Sequence, residues 1–349
     1  MSATLKDVAE LAGVSTATVS YVVNNGPRPV SGETRARVWQ AVNQLGYQPR
    51  RKQRESASGK SLTVGVIVPN ANATFFGEAL EGIETFLYAR GHNCLVGSSR
   101  SDPDIEKRLI RRLARLVDGL IITPTADVHA EIARLPERGI PTVIMDRQVS
   151  ATRLSGVGID NYNITTQAVR LLFETGYERI ALLNGPRVID PVCARLEGYQ
   201  EALAAVGLAY NPEYVLHVPF TAEAGRNAVF DLMSLPCPPE AIICTSTDLT
   251  VGALQSLKQL GLCVPEHMAL VCYGDTVWTS LLSPAMTVVD APAYLMGETS
   301  ARLLLNFFSD PPKTETRHIL LDTRLILRDT HRRQRVVGYN KNGNVKRET

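Results

Sequence analysis

The sequence predicts an α/β protein with an N-terminal three-helix head that contains a helix-turn-helix, a hinge, and two lobes that are each built on a doubly wound parallel sheet. Three observations support this fold class. Two short amphipathic helices separated by a tight turn occupy residues 4–24. A basic stretch rich in Ser, Ala and Gly follows near residue 50. From residue 62 onward, short apolar runs alternate with helical segments, as in sheets covered by helices on both faces.

The first helix has a polar start and an apolar stripe. The hydroxyl of Thr4 can accept a hydrogen bond from a free backbone N–H one turn later, and Asp7 places negative charge at the positive end of the helix dipole. Gly13 then suits a turn that needs a positive φ. The stripe, at helical spacing, consists of Leu5, Val8, Ala9 and Ala12. We therefore predict a helix that ends at the Ala12-Gly13-Val14 turn.

The second helix separates small polar side chains from valines. Ser15 is its predicted cap, and Val14 can pack on Val19 as a hydrophobic staple. Its inward face consists of Val19, Val22 and Val23, and its opposite face of Ala17, Ser20, Tyr21 and Asn24. Such a helix can present side chains to the DNA major groove while it is anchored from behind, with Thr16 and Ala17 at the end that meets base edges. Sequence-specific DNA binding is the hypothesis that follows.

A third helix is predicted to close the head. It starts near Ser31 and carries Val38, Val42 and Leu45 towards the first two helices. From periodicity alone, the three helices could also be a cap on a larger protein, with a polar exposed face and no role in binding. The charge distribution disfavours that alternative, because residues 1–60 hold nine Lys and Arg against four Asp and Glu, whereas residues 61–349 hold 28 against 31. Positive charge concentrated on the head is what phosphate contacts require.

Bulk composition excludes several classes of protein. The chain of 349 residues is long enough for more than one domain, and 44% hydrophobic residues are ample for a buried core. No apolar stretch is long enough to span a membrane, and the N-terminus lacks the layout of a signal peptide. The six cysteines are scattered without CxxC pairs, so disulfides and a zinc site are not expected. We expect a cytoplasmic protein without metal or cofactor.

The segment QPRRKQRESASGK breaks the pattern between the head and the remainder. Pro49 stops the third helix, and the composition changes from basic to small and polar. It is either a flexible, solvated linker or a hinge that becomes ordered only on DNA.

About ten apolar strands alternate with helices from Leu62 onward. The strands include LTVGVIVP, CLVGSS, DGLIITP, TVIMD, SGVGID, RIALLNG, YVLHV, AIICTS and ALVCYG. So many strands suggest two doubly wound lobes, and such lobes bind ligands beyond the carboxyl ends of their strands.

Aromatic and charged side chains recur at those strand ends in both lobes. They are Phe75, Phe76, Asp146, Arg147, Asp160, Arg195, Asp248, Asp275 and Trp278. Aromatic faces can stack on the C–H surface of a sugar, and paired donors and acceptors can hold its hydroxyls. A single Asp at a helix start is as often a simple cap, so the recurrence across both lobes is the stronger signal.

Motifs of catalysis are absent from the sequence. There is no GxxxxGK[ST], GxSxG or HExxH motif, and GVGID lacks the third glycine of a dinucleotide fingerprint. Asp146 and Asp160 could form an acid-base pair in a sugar-active enzyme, but nothing indicates a nucleophile. We therefore do not expect an enzyme.

The chain resembles the lactose-repressor/galactose-repressor (LacI/GalR) family of bacterial transcription regulators over nearly its whole length. TLKDVAELAGVSTATVSYVVN resembles the family's helix-turn-helix, and VSGETRARVWQAVNQLGYQP its third helix. VDGLIITP, GYERIALLNGP, ARLEGYQEAL, GLCVPEHMALVCYGD and SPAMTVVDAP are similar to its core signatures. The resemblance implies a bacterial, nucleoid-associated repressor that binds a near-palindromic DNA operator as a homodimer. It also implies an effector cleft between lobes like those of periplasmic sugar-binding proteins of type I.

The resemblance also assigns roles to residues. The resemblance and the helix pattern together predict the residues that contact DNA. They are Thr4, Leu5, Lys6, Ser15, Thr16, Ala17, Thr18, Ser20, Tyr21, Asn24, Ser31, Thr34, Arg35, Tyr47, Arg50, Arg51, Arg54 and Ser56. In the effector cleft the resemblance supports Phe75, Asp146, Arg147, Asp160, Arg195, Asp248 and Asp275, and it adds Phe220. Arg195 stands in ARLEGY, where the family's arginine commonly holds ligand hydroxyls or carboxylates. The effector is expected to be a small molecule, a sugar or a sugar derivative.

Three departures from the family pattern change these expectations. Ser56 stands where the family hinge has a leucine that wedges into the minor groove, so we predict weak operator kinking and a steeper salt dependence, with phosphates gripped by Arg50, Arg51 and Arg54. Gly274 stands where many members have an aspartate, and Asp275 is expected to replace it. Thr247 stands where asparagine is frequent.

The predicted boundaries are 1–48 for the helix-turn-helix domain, 49–61 for the hinge, 62–335 for the effector-binding and dimerisation core, and 336–349 for a basic, disordered tail. Within the core, the N-lobe is expected over about 62–161 and 292–322, and the C-lobe over about 162–291 and 323–335. Two alternatives remain open on the sequence: a regulator controlled by a protein partner, and a stand-alone sugar-binding protein.

Overall fold

The computed structural model describes residues 3–23, 30–47, 61–125, 128–147, 154–309, 316–333, 337–339 and 345–346. The chain divides into two compact units, Met1–Gly59 and Lys60–Thr349. No helix among the described residues is long and apolar enough to cross a bilayer.

The first unit is a bundle of three helices. They are α1 (Leu5–Ala12), α2 (Thr16–Val23) and α3 (Gly32–Gln44). Val8, Val19 and Val38 are fully buried at its centre, and Val14 and Val23 pack against the same cluster as predicted. Leu45 differs from the prediction, because α3 ends at Gln44 and leaves the Leu45 side chain 37% exposed.

The second unit consists of two lobes with the same sheet order. The N-lobe begins with β1 (Thr63–Val68), α4 (Thr74–Tyr88), β2 (Asn93–Ser98), α5 (Pro103–Leu113), β3 (Gly119–Ile122), α6 (His129–Glu137), β4 (Thr142–Met145) and β5 (Ser155–Ile159). The C-lobe contains α7 (Asn161–Glu174), β6 (Ile180–Asn184), α8 (Asp190–Ala205), β7 (Val215–His217), α9 (Ala222–Met233), β8 (Ala241–Cys244), α10 (Thr247–Gln259), β9 (Ala269–Tyr273), α11 (Val277–Leu281) and β10 (Thr287–Asp290). The chain then returns with α12 (Ala293–Ser309), β11 (His318–Leu321) and β12 (Arg324–Ile326).

The sheets run β2-β1-β3-β4-β5-β11 and β7-β6-β8-β9-β10-β12. All pairs are parallel except β10 with β12. Helices cover both faces of each sheet, which is why strands such as Val64–Val68 are buried along their length and read as continuous apolar runs. The predicted α/β fold class is confirmed.

The chain passes between the lobes three times. It passes from β5 into α7, from β10 into α12, and from β11 to β12 through only Asp322 and Thr323. Each lobe is therefore assembled from separate stretches of sequence. The carboxyl ends of the parallel strands of both lobes lead into the loops that carry the predicted effector contacts.

Glycines bring pairs of helices into close contact within each lobe. A Cβ atom added at Gly82 of α4 would overlap the carbonyl oxygen of Tyr294, and one added at Gly297 of α12 would overlap that of Ala79. In the C-lobe, Gly198 lies in the same way against Tyr162, and Gly252 against Ala222. These positions have no room for any side chain.

The tail that the sequence predicts to be disordered contains two short strands. β13 (Val337–Tyr339) pairs antiparallel with β14 (Val345–Lys346).

Candidate DNA-binding surface and effector cleft

The start of α2 is the exposed part of the helix-turn-helix. Gly13 takes φ 64°, and the backbone N–H of Val14 donates to the carbonyl of Ala9 at 3.0 Å, which closes the turn. The Ser15 hydroxyl accepts from the backbone N–H of Thr18 at 3.1 Å and so caps α2. Thr16 and Ala17 follow with exposed side chains at the positive end of the helix dipole. This end can approach base edges and phosphates.

Most other predicted DNA contacts in the first unit are accessible. Exposed residues are Thr4, Lys6, Ser15, Thr16, Ala17 and Ser31, and half-buried ones are Leu5, Thr18, Ser20, Tyr21, Thr34 and Arg35. Tyr47 is the least accessible of these predicted contacts, since it is only 8% exposed and packs in the helical core. Asn24, Arg50, Arg51, Arg54 and Ser56 lie outside the described residues.

Two of the predicted contacts also cap helices. The Thr4 backbone N–H donates to Asp7 Oδ2 at 2.7 Å, and the Asp7 backbone N–H donates back to the Thr4 hydroxyl at 3.3 Å. The backbone hydrogen bond from Thr4 lowers the pKa of Asp7. The Ser31 hydroxyl likewise accepts from the backbone N–H of Thr34 at 3.3 Å. The caps fix the directions of the helices that present the exposed surface.

Arg195 is the most strongly held cation of the predicted cleft. Its side chain on α8 is 8% exposed, its Nε donates to Asn161 Oδ1 at 2.8 Å, and its Nη1 donates to the carbonyl of Thr245 at 3.1 Å. The guanidinium carbon lies 4.6 Å from the centre of the Tyr273 ring. The Tyr273 hydroxyl in turn meets Thr165 Oγ1 at 2.5 Å. Three C-lobe segments therefore fix the plane and position of one buried guanidinium.

Asp146 and Arg147 lie at the end of β4 in the N-lobe. Asp146 takes φ 67°, a conformation that is rare for a non-glycine residue and that turns the chain sharply after the strand. Burial raises the pKa of Asp146, and both Arg147 and Arg195 oppose this. Arg147 is 6% exposed and donates from Nη1 to the carbonyl of Pro124 at 3.1 Å. Asp146 of one lobe and Arg195 of the other thus lie close enough to interact electrostatically across the cleft.

The aromatic residues divide between the cleft and the core. Phe75 is half-buried and meets Phe76 edge to face, with ring centres 5.2 Å apart. Phe76 is 9% exposed and packs in the N-lobe core, so less of its ring is accessible to a ligand than that of Phe75. The ring of Phe220 covers Gly185, which follows β6 and has no space for a Cβ. Phe75 and Phe220 therefore remain as aromatic surfaces at strand ends, one in each lobe.

Two predicted carboxylates have different environments. Asp160 caps α7, where Oδ1 accepts from the Asn163 backbone N–H at 3.0 Å and Oδ2 accepts from the Asn163 side-chain amide at 2.6 Å. Both oxygens are therefore already hydrogen-bonded within the cap of α7. Asp248 lies half-buried in the first turn of α10, and burial raises the pKa of its carboxyl. Asp248 is the better placed of the two to hold a ligand.

Asp275, which is expected to replace the family's aspartate, has both carboxylate oxygens hydrogen-bonded within the C-lobe. Its Oδ1 and Oδ2 accept from Arg328 Nη1 and Nη2 at 2.9 and 2.7 Å, and Oδ1 also accepts from the Thr279 hydroxyl at 2.7 Å. This bidentate pair ties the loop after β9 to the segment after β12. Trp278 lies half-buried on the following helix, α11. Gly274, at φ 100°, adds no side chain to the cleft.

The Asp275–Arg328 pair predicts a pH-dependent part of the stability. Burial alone would raise the pKa of Asp275, but the hydrogen bonds from Arg328 and Thr279 hold it below its usual value. A carboxyl with a depressed pKa stabilises the fold above its unfolded pKa of about 4, and this is lost as the pH falls through the folded pKa. We expect Asp275→Asn to lower the free energy of unfolding by roughly 1–2 kcal/mol at neutral pH.

Urea unfolding of both proteins at a series of pH values checks this. The difference should begin to shrink below about pH 4, where the unfolded carboxyl takes up a proton, and should be lost only as the pH falls through the lower pKa of the folded protein. A difference that is constant from neutral to acidic pH would show that the ion pair contributes no linked stability.

Three residues that surround Arg195 and Arg147 were not predicted from the sequence. Asn161 directly follows Asp160 at a strand end, and Tyr273 ends an apolar strand. Glu106 lies on the same face of α5 as the buried Ile110 and Leu113, and is itself 0% exposed. A carboxylate at helical spacing from buried apolar residues, within the charged segment DIEKRLIRRL, is the signal that could have identified it.

Two surface grooves lie away from the predicted effector contacts. One of about 480 Å³ is lined by α7 and the segment Thr323–Leu327, and one of about 390 Å³ lies beside Pro292 and Leu295. Neither includes a predicted effector contact. No group of three or more His, Cys, Asp or Glu side chains in the described ranges could hold a metal ion.

Two family models match the chain and together cover most of it. Residues 4–50 match the bacterial regulatory proteins of the lacI family. Residues 61–328 match the periplasmic binding proteins and sugar-binding domain of the LacI family.

Individual proteins are similar over almost the full length. The HTH-type transcriptional repressor CytR of Escherichia coli (strain K12) is 34% identical over 339 residues, which cover 95% of this chain and 97% of CytR. The solved transcriptional regulator CelR–cellobiose complex is 33% identical, with a TM-score of 0.71, and covers 94% of this chain and 99% of that one. A lac repressor dimer bound to operator and the anti-inducer ONPF is 27% identical, with a TM-score of 0.69, over 95% of this chain and 100% of that one.

Proposed function

The chain belongs to the LacI family of bacterial regulatory proteins, whose members are DNA-binding transcriptional regulators controlled by an effector, and from this premise we propose that it represses transcription from a near-palindromic operator as a homodimer. We further propose that a small molecule, a sugar or a sugar derivative, binds between the two lobes and changes the affinity for the operator. The dimer on DNA is supported by the lac repressor structure, and the sugar by the CelR–cellobiose complex.

One observation carries the proposal for the effector. The guanidinium of Arg195 is buried and oriented by Asn161 and Thr245 of the C-lobe, and it interacts electrostatically with Asp146 of the N-lobe. A bound ligand with paired hydroxyls could bridge Arg195 and Asp146 and so favour one angle between the lobes. Phe75, Phe220 and Asp248 supply stacking surface and a further acceptor at the same strand ends.

Three passages of the chain between the lobes allow the angle between them to change as a hinge. A ligand that prefers one angle shifts the population of states, and coupling of this kind is typically about 1–3 kcal/mol. In a dimer, a change of angle alters the spacing of two DNA-binding heads that must meet half-sites about one helical turn apart. We also propose the boundaries 1–48, 49–61 and 62–335 for head, hinge and core, a cytoplasmic location, and no enzymatic activity.

The DNA-binding surface can be tested by adding one negative charge at its centre. Ala17→Glu places a carboxylate at the exposed start of α2, where it repels phosphates without disturbing the buried core. We expect this variant to bind an operator at least about 100-fold more weakly, equivalent to the loss of one or two good base contacts. Gln40→Glu, on the exposed surface of α3, adds the same charge and should change the affinity by less than about 3-fold.

The operator for this test is a duplex selected from a random pool by the wild-type protein, and affinities are measured by gel shift at fixed salt. Equal weakening by both substitutions would assign binding to net charge alone. If the wild-type protein selects no sequence over random duplex, the proposal of an operator-binding regulator fails.

A further inference from the structure

A fully buried carboxylate of the N-lobe lies one peptide group away from Arg147, a predicted effector contact. Glu106 is 0% exposed and lies on the same buried face of α5 as Ile110 and Leu113. It is not among the residues expected to touch an effector. A buried carboxylate requires a compensating partner, so its neighbours decide what it does.

Glu106 and Arg147 hold the two sides of a single peptide group. The backbone N–H of Thr125 donates to Glu106 Oε2 at 2.9 Å, and the carbonyl of Pro124, in the same peptide group, accepts from Arg147 Nη1 at 3.1 Å. Because the N–H and C=O of a trans peptide point in opposite directions, the carboxylate and the guanidinium are held one peptide group apart. The loop after β3 and the end of β4 are thereby fixed to α5.

This arrangement extends an alternating row of charges to the other lobe. Glu106 interacts with Arg147, Arg147 with Asp146, and Asp146 with Arg195. Two carboxylates and two guanidinium groups give a row with no net charge. Without Glu106 the same row would carry one positive charge, directly beside the predicted ligand position.

One carboxylate oxygen of Glu106 accepts from the Thr125 N–H, and the other, Oε1, is buried without a hydrogen-bond partner among the described residues. Burial raises the pKa of Glu106, whereas the N–H of Thr125, the guanidinium of Arg147 and the hydroxyl of Ser99 act in the opposite direction. Arg147 stays protonated at any physiological pH, so it consistently favours the ionised carboxylate. In a buried environment this charge acts over a longer range than it would at the surface.

We propose that Glu106 is a specificity-determining residue that cancels the charge of Arg147, so that the effector cleft prefers an uncharged, hydroxyl-bearing ligand to an anionic one. An anion that enters the cleft loses its hydration, and a row of charges with no net charge gives no net attraction in return. The half-buried carboxylate of Asp248 would repel the anion further. Neutral hydroxyl groups can instead pair with Asp146 and Arg195 without unbalancing the row. This inference rests on the proposed effector cleft and narrows its ligand class.

The test compares Glu106→Gln with Asp104→Asn in the full-length protein. Glutamine keeps an oxygen for the Thr125 N–H and removes the buried charge. Asp104→Asn removes one negative charge from the exposed side of the same helix. The probes are inorganic phosphate and three matched pairs: ribose and ribose 5-phosphate, glucose and glucose 6-phosphate, cytidine and its 5′-monophosphate. The readout is the midpoint of thermal unfolding at constant ionic strength, titrated to give an apparent Kd.

For Glu106→Gln we expect phosphate or a phosphorylated probe to bind at least about 10-fold more tightly than in the wild type and in Asp104→Asn. Any anion bound at the basic head contributes equally to all three proteins and cancels in the comparison. Glu106→Asp, which keeps the charge, should behave like the wild type. Equal anion responses of Glu106→Gln and Asp104→Asn would overturn the inference.

The wild-type protein provides an independent arm if Glu106→Gln does not fold. A wild-type protein that prefers a phosphorylated probe to its neutral partner contradicts the inference directly, and one that prefers the neutral partner supports it. If the wild type binds no probe while Glu106→Gln gains phosphate binding, the role of Glu106 stands and the proposed sugar effector fails. If neither protein binds any probe, the inference is wrong.

Discussion

Arg195→Met is expected to weaken effector binding by at least about 100-fold and to make operator binding insensitive to the effector. Each hydrogen bond to a charged group contributes roughly 1.5–3 kcal/mol, and the variant loses the donors that face the ligand as well as the charge opposite Asp146. Methionine fills most of the volume of the side chain. The variant should nevertheless be destabilised by roughly 1–3 kcal/mol, because Asn161 Oδ1 and the carbonyl of Thr245 lose their donors.

Two further variants separate the loss of the ligand contact from the loss of stability. Arg187→Met removes an exposed arginine from the loop after β6 and should leave effector affinity within about 3-fold. Arg195→Lys keeps the charge but cannot reproduce both hydrogen bonds, so we expect an intermediate affinity. Calorimetric titration with an effector found by thermal-shift screening, followed by operator gel shifts, measures both outcomes. An unchanged effector response in Arg195→Met would show that the cleft has been placed wrongly.

Gly297→Ala is expected to lower the free energy of unfolding by roughly 3 kcal/mol or more, at the upper end of the range for overpacked cores. The new Cβ on α12 would overlap the backbone carbonyl of Ala79, and a backbone atom cannot rotate away as a flexible side chain can. The helices would have to separate, and this would also disturb the reciprocal contact of Gly82 with Tyr294.

Gly77→Ala is a matched control on the partner helix α4. No atom lies within 4 Å of a Cβ added there, so the substitution should be neutral or should stabilise the helix by roughly 0.5–1 kcal/mol. Urea unfolding followed by circular dichroism measures both variants. Similar effects of the two substitutions would mean that α4 and α12 are not as closely packed as the structure shows.

The sequence predicted the regular elements of this protein well, for physical reasons that can be stated. Parallel strands buried on both faces, such as Val64–Val68, produce uninterrupted apolar runs, and the helices between them repeat apolar residues at 3.6-residue spacing. The cap at Thr4 and the left-handed turn at Gly13 depend only on neighbouring residues, and both are present in the structure. The strands β11 and β12 were missed because they are short and half-exposed, and their apolar runs span only residues 319–321 and 325–327.

Long-range contacts limited the prediction of the site. Tyr47 and Phe76 have the residue types of ligand contacts, and only packing decides that they are core residues. Asp275 could not be recognised as the partner of Arg328, because the two residues are brought together only when β12 joins the C-lobe sheet. Glu106 is the opposite case, a residue that was not predicted and that lies buried beside the predicted site. Its residue type suggested solvent exposure, although its helical spacing from Ile110 and Leu113 placed it on the buried face.

The way each lobe is assembled from separate stretches also has a consequence for biosynthesis. β5 acquires its outer neighbour β11, and β10 acquires β12, only when residues 318–326 have been translated. Until then, a nascent chain on the ribosome presents the apolar strands β5 and β10 as open sheet edges, which are sites for mispairing with other chains. Because both sheets are completed only by this segment, a chain released before residues 318–326 are made would expose both strands and would be prone to aggregation.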